Sequence, residues 1–513
     1  MSFKRTSVYI GSLLAGSFLL SLSVGFEGCK SKTAASYQLT GDTVADGKYL
    51  AQQYCTSCHA LVPADALTKD VWRMHVMPTM ADYLKISTYG SEFFKKPTDT
   101  GGISLIHWQA IVDYYNKVAP VELKPAKAHV PLATSLAGFT LRKPKEMPDV
   151  AFTTMIAGNP STGKIYTSDL VASNLTEWDS ELKPNVLTSL PSGATNLQFQ
   201  KDGNALLSAV GRLDHVDYPS GRILDVKLNG SDHKTVDVAE DISRPMQTIG
   251  ADFDKDGKDE IVVCGQGYKK GGVYLLKLDA NNKLVKRSTI TDRAGAIQAV
   301  SQDFNKDGWP DLMVLYGIGN EGLVLYLNDQ KGGFISKDLL QFPPVNGSTS
   351  FQLADMDHDG NLDLIYTCGY NFHDTRILKP YHGLYIYKNT GDFKFKQEWF
   401  YPINGATKAI AADFDGDGDL DIATSAFFAD MKNNPAEEFI YFEQQKPMQF
   451  KPQSAPISQY GRWMTMDVAD INKDGKPDIL LGNYASGFMF QPNFSPNWNE
   501  HIPFVVLQNN LKK

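Results

Sequence analysis

Two kinds of residue cluster in this 513-residue sequence could do chemistry. The first is Cys55-Thr56-Ser57-Cys58-His59. Two thiols at this spacing can add to the two vinyl groups of haem while the adjacent imidazole ligates the iron, so the motif reads as one covalent haem c site. A redox dithiol or a zinc pair is the rival reading, but zinc needs two more ligands and no second closely spaced Cys pair exists here. The other axial position needs a ligand from 71–84, where Met74, His75, Met77 and Met80 stand. A thioether there raises the potential and suits electron transfer, whereas an open position permits small-molecule chemistry.

The second kind of cluster occurs five times. Oxygen-bearing side chains stand at positions 1, 3, 5 and 9 of a nine-residue stretch with glycine at position 6. The sets are Asp252, Asp254, Asp256 and Glu260; Asp303, Asn305, Asp307 and Asp311; Asp355, Asp357, Asp359 and Asp363; Asp413, Asp415, Asp417 and Asp421; and Asp470, Asn472, Asp474 and Asp478. Alternate acids can converge on one hard cation while glycine permits the sharp turn, which points to about five Ca²⁺ sites by the logic of the EF-hand loop. These are not EF-hands: the closing acid comes at position 9 rather than 12, and the flanks are β-rich runs such as Ile261-Val262-Val263, not amphipathic helices.

The elements that must position these groups differ. The acidic loops begin at 252, 303, 355, 413 and 470, so they recur every 51 to 58 residues with strand-like runs between them. The pattern resembles FG-GAP or VCBS repeats, which implies an all-β propeller with calcium loops. Residues 154–178 and 196–229 keep the strand-turn-strand rhythm without the acids, and Gln200-Lys201-Asp202-Gly203-Asn204 looks like a degenerate loop. Counting both gives seven blades over 146–513, with six or eight as alternatives. In a four-stranded meander the acidic loops share one face. The longer segments 214–222, 265–272, 316–321, 370–382, 427–437 and 483–487 gather opposite, where His215, His373 or His382 beside Arg376 and Lys379 would line a pocket if the propeller has a substrate.

Around the cysteine motif the periodicity is helical. Residues 45–53 precede it, and Leu105, Trp108, Ile111, Val112 and Tyr115 follow at helical spacing before Ala119-Pro120. Residues 38–121 resemble a class I cytochrome c domain, a small all-α unit whose first and last helices cross beside the haem. Within that resemblance His75-Val76-Met77-Pro78-Thr79-Met80 implies Met80 as the sixth ligand, with Met77, His75 or an open site as alternatives. Residues 122–145, with Pro125, Pro131 and Pro144, read as an inter-domain linker.

At the start of the chain, Lys4 and Arg5 precede an apolar stretch over 8–26 and then Gly28-Cys29. This reads as an export signal over 1–28 and resembles a bacterial lipobox, which implies lipidation of Cys29 and a polar tether over 29–37. Phe26 and Glu27 depart from that pattern, and a plain signal peptide or an uncleaved anchor are the alternatives. Cys264 and Cys368 read as buried thiols. The net charge of −8 argues against nucleic acid, although five bound divalent cations would bring it to about +2.

The expectation is therefore an exported, lipid-anchored protein that exchanges electrons with a redox protein partner, its calcium propeller serving for docking or ligand binding. Two alternatives stand beside it: a propeller-based dehydrogenase of a sugar or alcohol that feeds its own haem, and a surface lipoprotein that binds glycan or protein. An electron carrier is favoured over an oxidoreductase with its own substrate, because no base with a hydride acceptor can be assigned.

Overall fold

The computed structural model describes residues 37–89, 92–96, 102–214, 217–371, 377–487 and 494–511. The signal over 1–28, Cys29 and all of the tether but Tyr37 lie outside these residues, as do His215, His373 and Arg376. Among the described residues no helix is long and apolar enough to cross a membrane.

Seven four-stranded antiparallel sheets follow one another around a ring. Blade 1 comprises Thr153–Gly158, Ile165–Asp169, Asn174–Trp178 and Pro184–Ser189; blade 2 begins at Ala194–Phe199, blade 3 at Pro245–Ala251 and blade 4 at Ala296–Gln302. Blades 5, 6 and 7 begin at Ser348–Ala354, Ala406–Ala412 and Trp463–Ala469. These first strands are the innermost, each packed against the first strand of the next blade, and blade 7 returns to blade 1.

Burial explains why the strands were readable. Second strands such as Asp311–Tyr316 and Asp478–Asn483 are buried along their whole length, because both faces press on neighbouring blades. They read as continuous apolar runs. The outer strand Phe334–Gln341 is largely exposed and mixes polar with apolar residues. Seven blades are thus confirmed.

The linker assigned to 122–145 is corrected. Phe139–Arg142 is the outer strand of blade 7 and pairs antiparallel with Phe504–Asn509, from Phe139 opposite Asn509 to Arg142 opposite Val506. A strand from before blade 1 therefore completes the last blade and ties the ring shut. Upstream of it, Ser454 N–H donates to Ala133 O and Tyr401 Oη to Val130 O, so much of the proline-rich stretch lies on the propeller.

Ahead of the propeller is a small unit whose main helices are Thr43–Tyr54 and Leu105–Val118. Asp42 caps the first by accepting from Val44 and Ala45 N–H, and Ser104 caps the second by accepting from His107 N–H. The two cross where Gly47 meets the partner helix: a Cβ there would sit 2.1 Å from Tyr114 Cβ and 2.5 Å from Ala110 O, so only glycine permits this approach. Leu50, Trp72, Met77, Trp108, Ile111 and Tyr115 form its core. The unit is not all-α, because Ser87–Tyr89 and Glu92–Phe94 form a two-stranded antiparallel ladder.

This unit stands on the propeller face opposite the acidic loops. Tyr381 Oη donates to Ala66 O at 3.0 Å, the Lys269 ammonium lies 4.8 Å from the centre of the Tyr83 ring, and Val345 and Ile377 pack against the helical core.

Candidate functional site

The Cys55–His59 segment leaves the first helix directly: Thr43–Tyr54 tightens into a single 3-10 turn over Cys55–Ser57. Cys55 is half-buried and Cys58 exposed, both are free thiols, and burial with the nearby Cys58 pushes the Cys55 thiol up to about 11. His59 Nδ1 lies 2.8 Å from Ala60 O. Behind it Tyr115 Oη donates to Val62 O and Trp72 Nε1 to Ala64 O, each at 2.8 Å, which fixes the loop onto the last helix and its neighbour.

Of the candidate axial ligands, Met74 and His75 lie in a π-helical turn, Trp72–Val76, and Met77 and Met80 in the helix Met77–Tyr83 that it runs into. Pro78 has no N–H to continue a regular ladder, which accounts for the widened turn. The helix separates the two methionines. Met77 is buried in the core, Met80 is half-buried at its margin, and Met74 and His75 are exposed.

Two features of this unit bear on whether it suits a prosthetic group. Trp108 is 1% exposed, yet its indole N–H has no acceptor, and His107 Nδ1 in the same core also lacks a partner. Buried polar atoms of this kind are normally paired. Among the described residues, nine of the seventeen exposed large apolar side chains lie between Leu39 and Val121, in the smaller of the two units. Cys55, Cys58 and His59 fit haem c by donor type, and the unpaired indole N–H and exposed apolar side chains around them are compatible with such a group.

The acidic loops each join the first strand of a blade to its second, in blades 3 to 7. Their backbones agree closely. Positions 4 and 6 are left-handed in every loop, for example Lys255 at φ +58° and Gly257 at +88°, or Lys473 at +61° and Gly475 at +85°. A Cβ on Gly257 or Gly475 would meet nothing within 4 Å, so position 6 needs glycine for its φ and not for space. The first acid accepts from the N–H of position 6 in every loop and of position 5 in all but blade 6, as Asp252 does from Asp256 and Gly257 at 3.1 and 3.0 Å, while Asp413 accepts from Gly416 and Gly418.

The structure brings three acids of a loop together in Asp252–Asp254–Glu260, Asp355–Asp357–Asp359 and Asp413–Asp415–Asp417. In blades 4 and 7 an amide takes position 3, and Asn305 and Asn472 each donate from Nδ2 to the position-5 acid, at 2.9 and 3.0 Å. The position-9 acids are buried and largely occupied. Asp311 accepts from Phe304 and Asn328 N–H, and Asp478 from Ile471 and Asn509 N–H. Burial and neighbouring loop carboxylates hold all five above the usual range, with Asp421 pushed up to about 7 and Asp478 to about 6. A divalent cation would relieve that crowding, so the donor set fits Ca²⁺.

Two loops have a counter-ion of their own. The Lys277 ammonium contacts Asp254, Asp256 and Glu260, and the Lys388 ammonium contacts Asp357 and Asp359. Between acids, position 2 turns inward: Phe253, Phe304, Met356, Phe414 and Ile471 are all buried. The next blade grips this residue, as when Asn328 Nδ2 donates to Phe253 O and Asn509 Nδ2 to Phe414 O.

The profile of the FG-GAP-like repeat family matches residues 252–314, 303–366 and 377–424. These segments are FG-GAP-like repeats. They cover four of the five acidic loops, and the loop Asp470–Asp478 has the same geometry outside the matched segments. No curated protein matches the chain. Solved structures similar to it include virginiamycin B lyase from Staphylococcus aureus, at 10% identity over 62% of this chain and 89% of that one with a TM-score of 0.42. Another is the N-terminal domain of Nup159, at 13% identity over 74% of this chain and 98% of that one with a TM-score of 0.41.

On the opposite face of the FG-GAP-like propeller a cavity of about 270 Å³ occupies the mouth of the central channel. Every inner strand has a register shift at its second residue. The shifted residues, Thr154, Thr195, Met246, Ile297, Thr349, Thr407 and Met464, all line the cavity. Bulges re-aim side chains, here toward the axis. The threonines also hold the ring together: Thr195 Oγ1 donates to Pro245 O and Thr349 Oγ1 to Ala406 O, each across a blade boundary.

Lys379 and His382 do not line this cavity. They are buried, 3% and 1% exposed, in a cluster with Glu321 beneath the helical unit. Burial pushes Glu321 up to about 8 and Lys379 down to about 8, and burial with the Lys379 charge holds His382 well below its usual range. Gln266, within the segment 265–272 expected on this face, does line the cavity, and so does Arg244, which sequence reasoning missed.

Proposed function

We propose that the protein is an exported electron carrier with one haem c, held to a bacterial membrane by lipid on Cys29 and mounted on a calcium-binding propeller that docks its redox protein partner. The observation that carries this reading is the Cys55-Cys58-His59 spacing at the end of the helix that crosses Leu105–Val118, in a core where the buried Trp108 indole N–H has no acceptor. Bound haem would supply reversible one-electron chemistry. The chain's own residues do the rest. Cys55 and Cys58 would anchor the group and His59 would ligate its iron. Met80, at the margin of the core, would supply the second axial ligand that a closed haem needs, while Met77 is buried as packing.

Calcium in the five loops is proposed as a structural staple. It would lock hairpins whose backbones are already bent to receive it, and would bring the net charge from −8 to about +2.

The dehydrogenase reading has one observation in its favour, the cavity on the face where the helical unit stands. Electron transfer remains the better account, because Lys379 and His382 are buried away from that cavity. The test is covalent attachment in an exporting bacterial host: the purified chain should keep its haem through denaturation and acid-acetone extraction. The double variant Cys55→Ala/Cys58→Ala should lose it entirely, and retention by that variant would refute the reading.

A further inference from the structure

The channel mouth has a second chemistry that owes nothing to the cysteine motif. Arg244 lies between the last strand of blade 2 and the first of blade 3, in the left-handed region at φ +48°. A non-glycine residue held there costs on the order of 1 kcal/mol or more, and such strain concentrates at ligand sites. Its side chain lines the cavity, the residue is only 8% exposed, and Nε and Nη1 are buried with no hydrogen-bond partner. Buried guanidinium N–H groups left without an acceptor are among the costliest polar atoms a fold can keep. Asp214, on the same wall, acts on the Arg244 charge across space, but its oxygens are bonded to Arg212 at 3.1 and 2.7 Å and it leaves Nε and Nη1 without an acceptor.

The rest of the wall defines the complement. Lys408, half-buried on the same wall, adds a second cation whose charge is shared with the neighbouring Asp467. Gln266, 6% exposed, presents a carbonyl oxygen with no donor. Thr154, Thr195 and Thr349 already spend their hydroxyl protons on backbone carbonyls, so they offer lone pairs to the channel. Tyr370, Phe427 and Phe428 add aromatic surface. The two open guanidinium donors of Arg244 beside a set of acceptors call for an anionic group on a molecule that also has hydroxyl donors. The volume suits one sugar ring.

We infer that the channel mouth is a binding site for a small polyhydroxy carboxylate, a sugar acid, with its carboxylate on Arg244 and its hydroxyls on Gln266 and the threonine ring. The site stands whether or not the chain holds haem. Arg244, absent from every sequence motif, is its specificity determinant.

The test is calorimetric titration of the full-length protein with D-galacturonate and, as its neutral counterpart, D-galactose. Galacturonate should bind saturably with one equivalent per chain, and galactose at least 10-fold more weakly. Arg244→Gln should weaken galacturonate on the order of 10- to 100-fold, the range of a lost charge-assisted pair, and leave galactose unchanged. If Arg244→Gln does not fold, Lys408→Met provides the reading, with galacturonate weakened about 5-fold by loss of one half-buried charge. No binding of galacturonate, equal binding of the two sugars, or unchanged affinity in the folded variants would overturn the site.

Discussion

On one face of the propeller, five loops repeat a nine-residue plan with left-handed residues at the same two positions. On the other, the segments between second and third strands differ in length and composition from blade to blade, and there the helical unit and the Arg244 cavity are found. Repetition is the signature of a structural task that every blade boundary poses alike. Irregularity marks the face on which one particular partner or ligand must be met. The acidic face should therefore govern stability, and the loop face specificity.

Chelation should break the comparison most strongly. Each loop holding calcium at 100 times its Kd would lose about 2.7 kcal/mol when the ion is stripped. Thermal unfolding with and without a chelator measures this, and a midpoint that does not move would deny the loops their staple role. Blades 3 and 5 should bind the ion more weakly than blade 6, because Lys277 and Lys388 compete for the same oxygens. The variant Lys277→Met should raise calcium affinity, read by titration.

The next effect belongs to the wedge between blades. Phe414→Ala removes a side chain that is 1% exposed and should cost about 3 to 5 kcal/mol in chemical denaturation. A loss below about 1 kcal/mol would mean the loop is not locked to its neighbour.

Glu321 sharpens the contrast from the loop face. Its carboxyl is raised to about 8 in the fold and returns to the ordinary glutamate range when unfolded, so between these values the unfolded state binds fewer protons. Stability should fall as pH rises through that window, by up to about 1.4 kcal/mol per unit from this one group. Glu321→Gln should flatten the profile, and an unchanged slope would contradict the assignment. Smallest of all, Tyr381→Phe should cost about 1 kcal/mol by deleting the bond to Ala66 O, seen as faster amide exchange where the helical unit meets the propeller.

Much of this architecture could be read from local chemistry. Asp, Asn and Gly at fixed offsets report a turn that the backbone adopts in each blade, and fully buried second strands appear as apolar runs. What escaped depends on distant partners. Phe139–Arg142 is four residues in a proline-rich stretch, and only its pairing with Phe504–Asn509 makes it a strand. Arg244 meets Asp214, Gln266 and Tyr370 around one cavity, and no spacing along the chain announces that meeting. Lys379 and His382 looked like surface groups because the unit that covers them lies about 300 residues away in sequence. Met77 and Met80 differ only in which side of one helix turns to the core.

The central claim is a closed, single-haem electron carrier. It is tested most directly by visible spectra of the purified haem-loaded protein, oxidised and reduced, in wild type and in Met80→Ala. The wild type should show the weak long-red band of a thioether bound to ferric iron and should not take up carbon monoxide when reduced, and Met80→Ala should lose the band and bind the gas. A wild type that lacks the band and binds carbon monoxide would contradict the account, since its iron would have an open position suited to chemistry rather than to electron transfer alone.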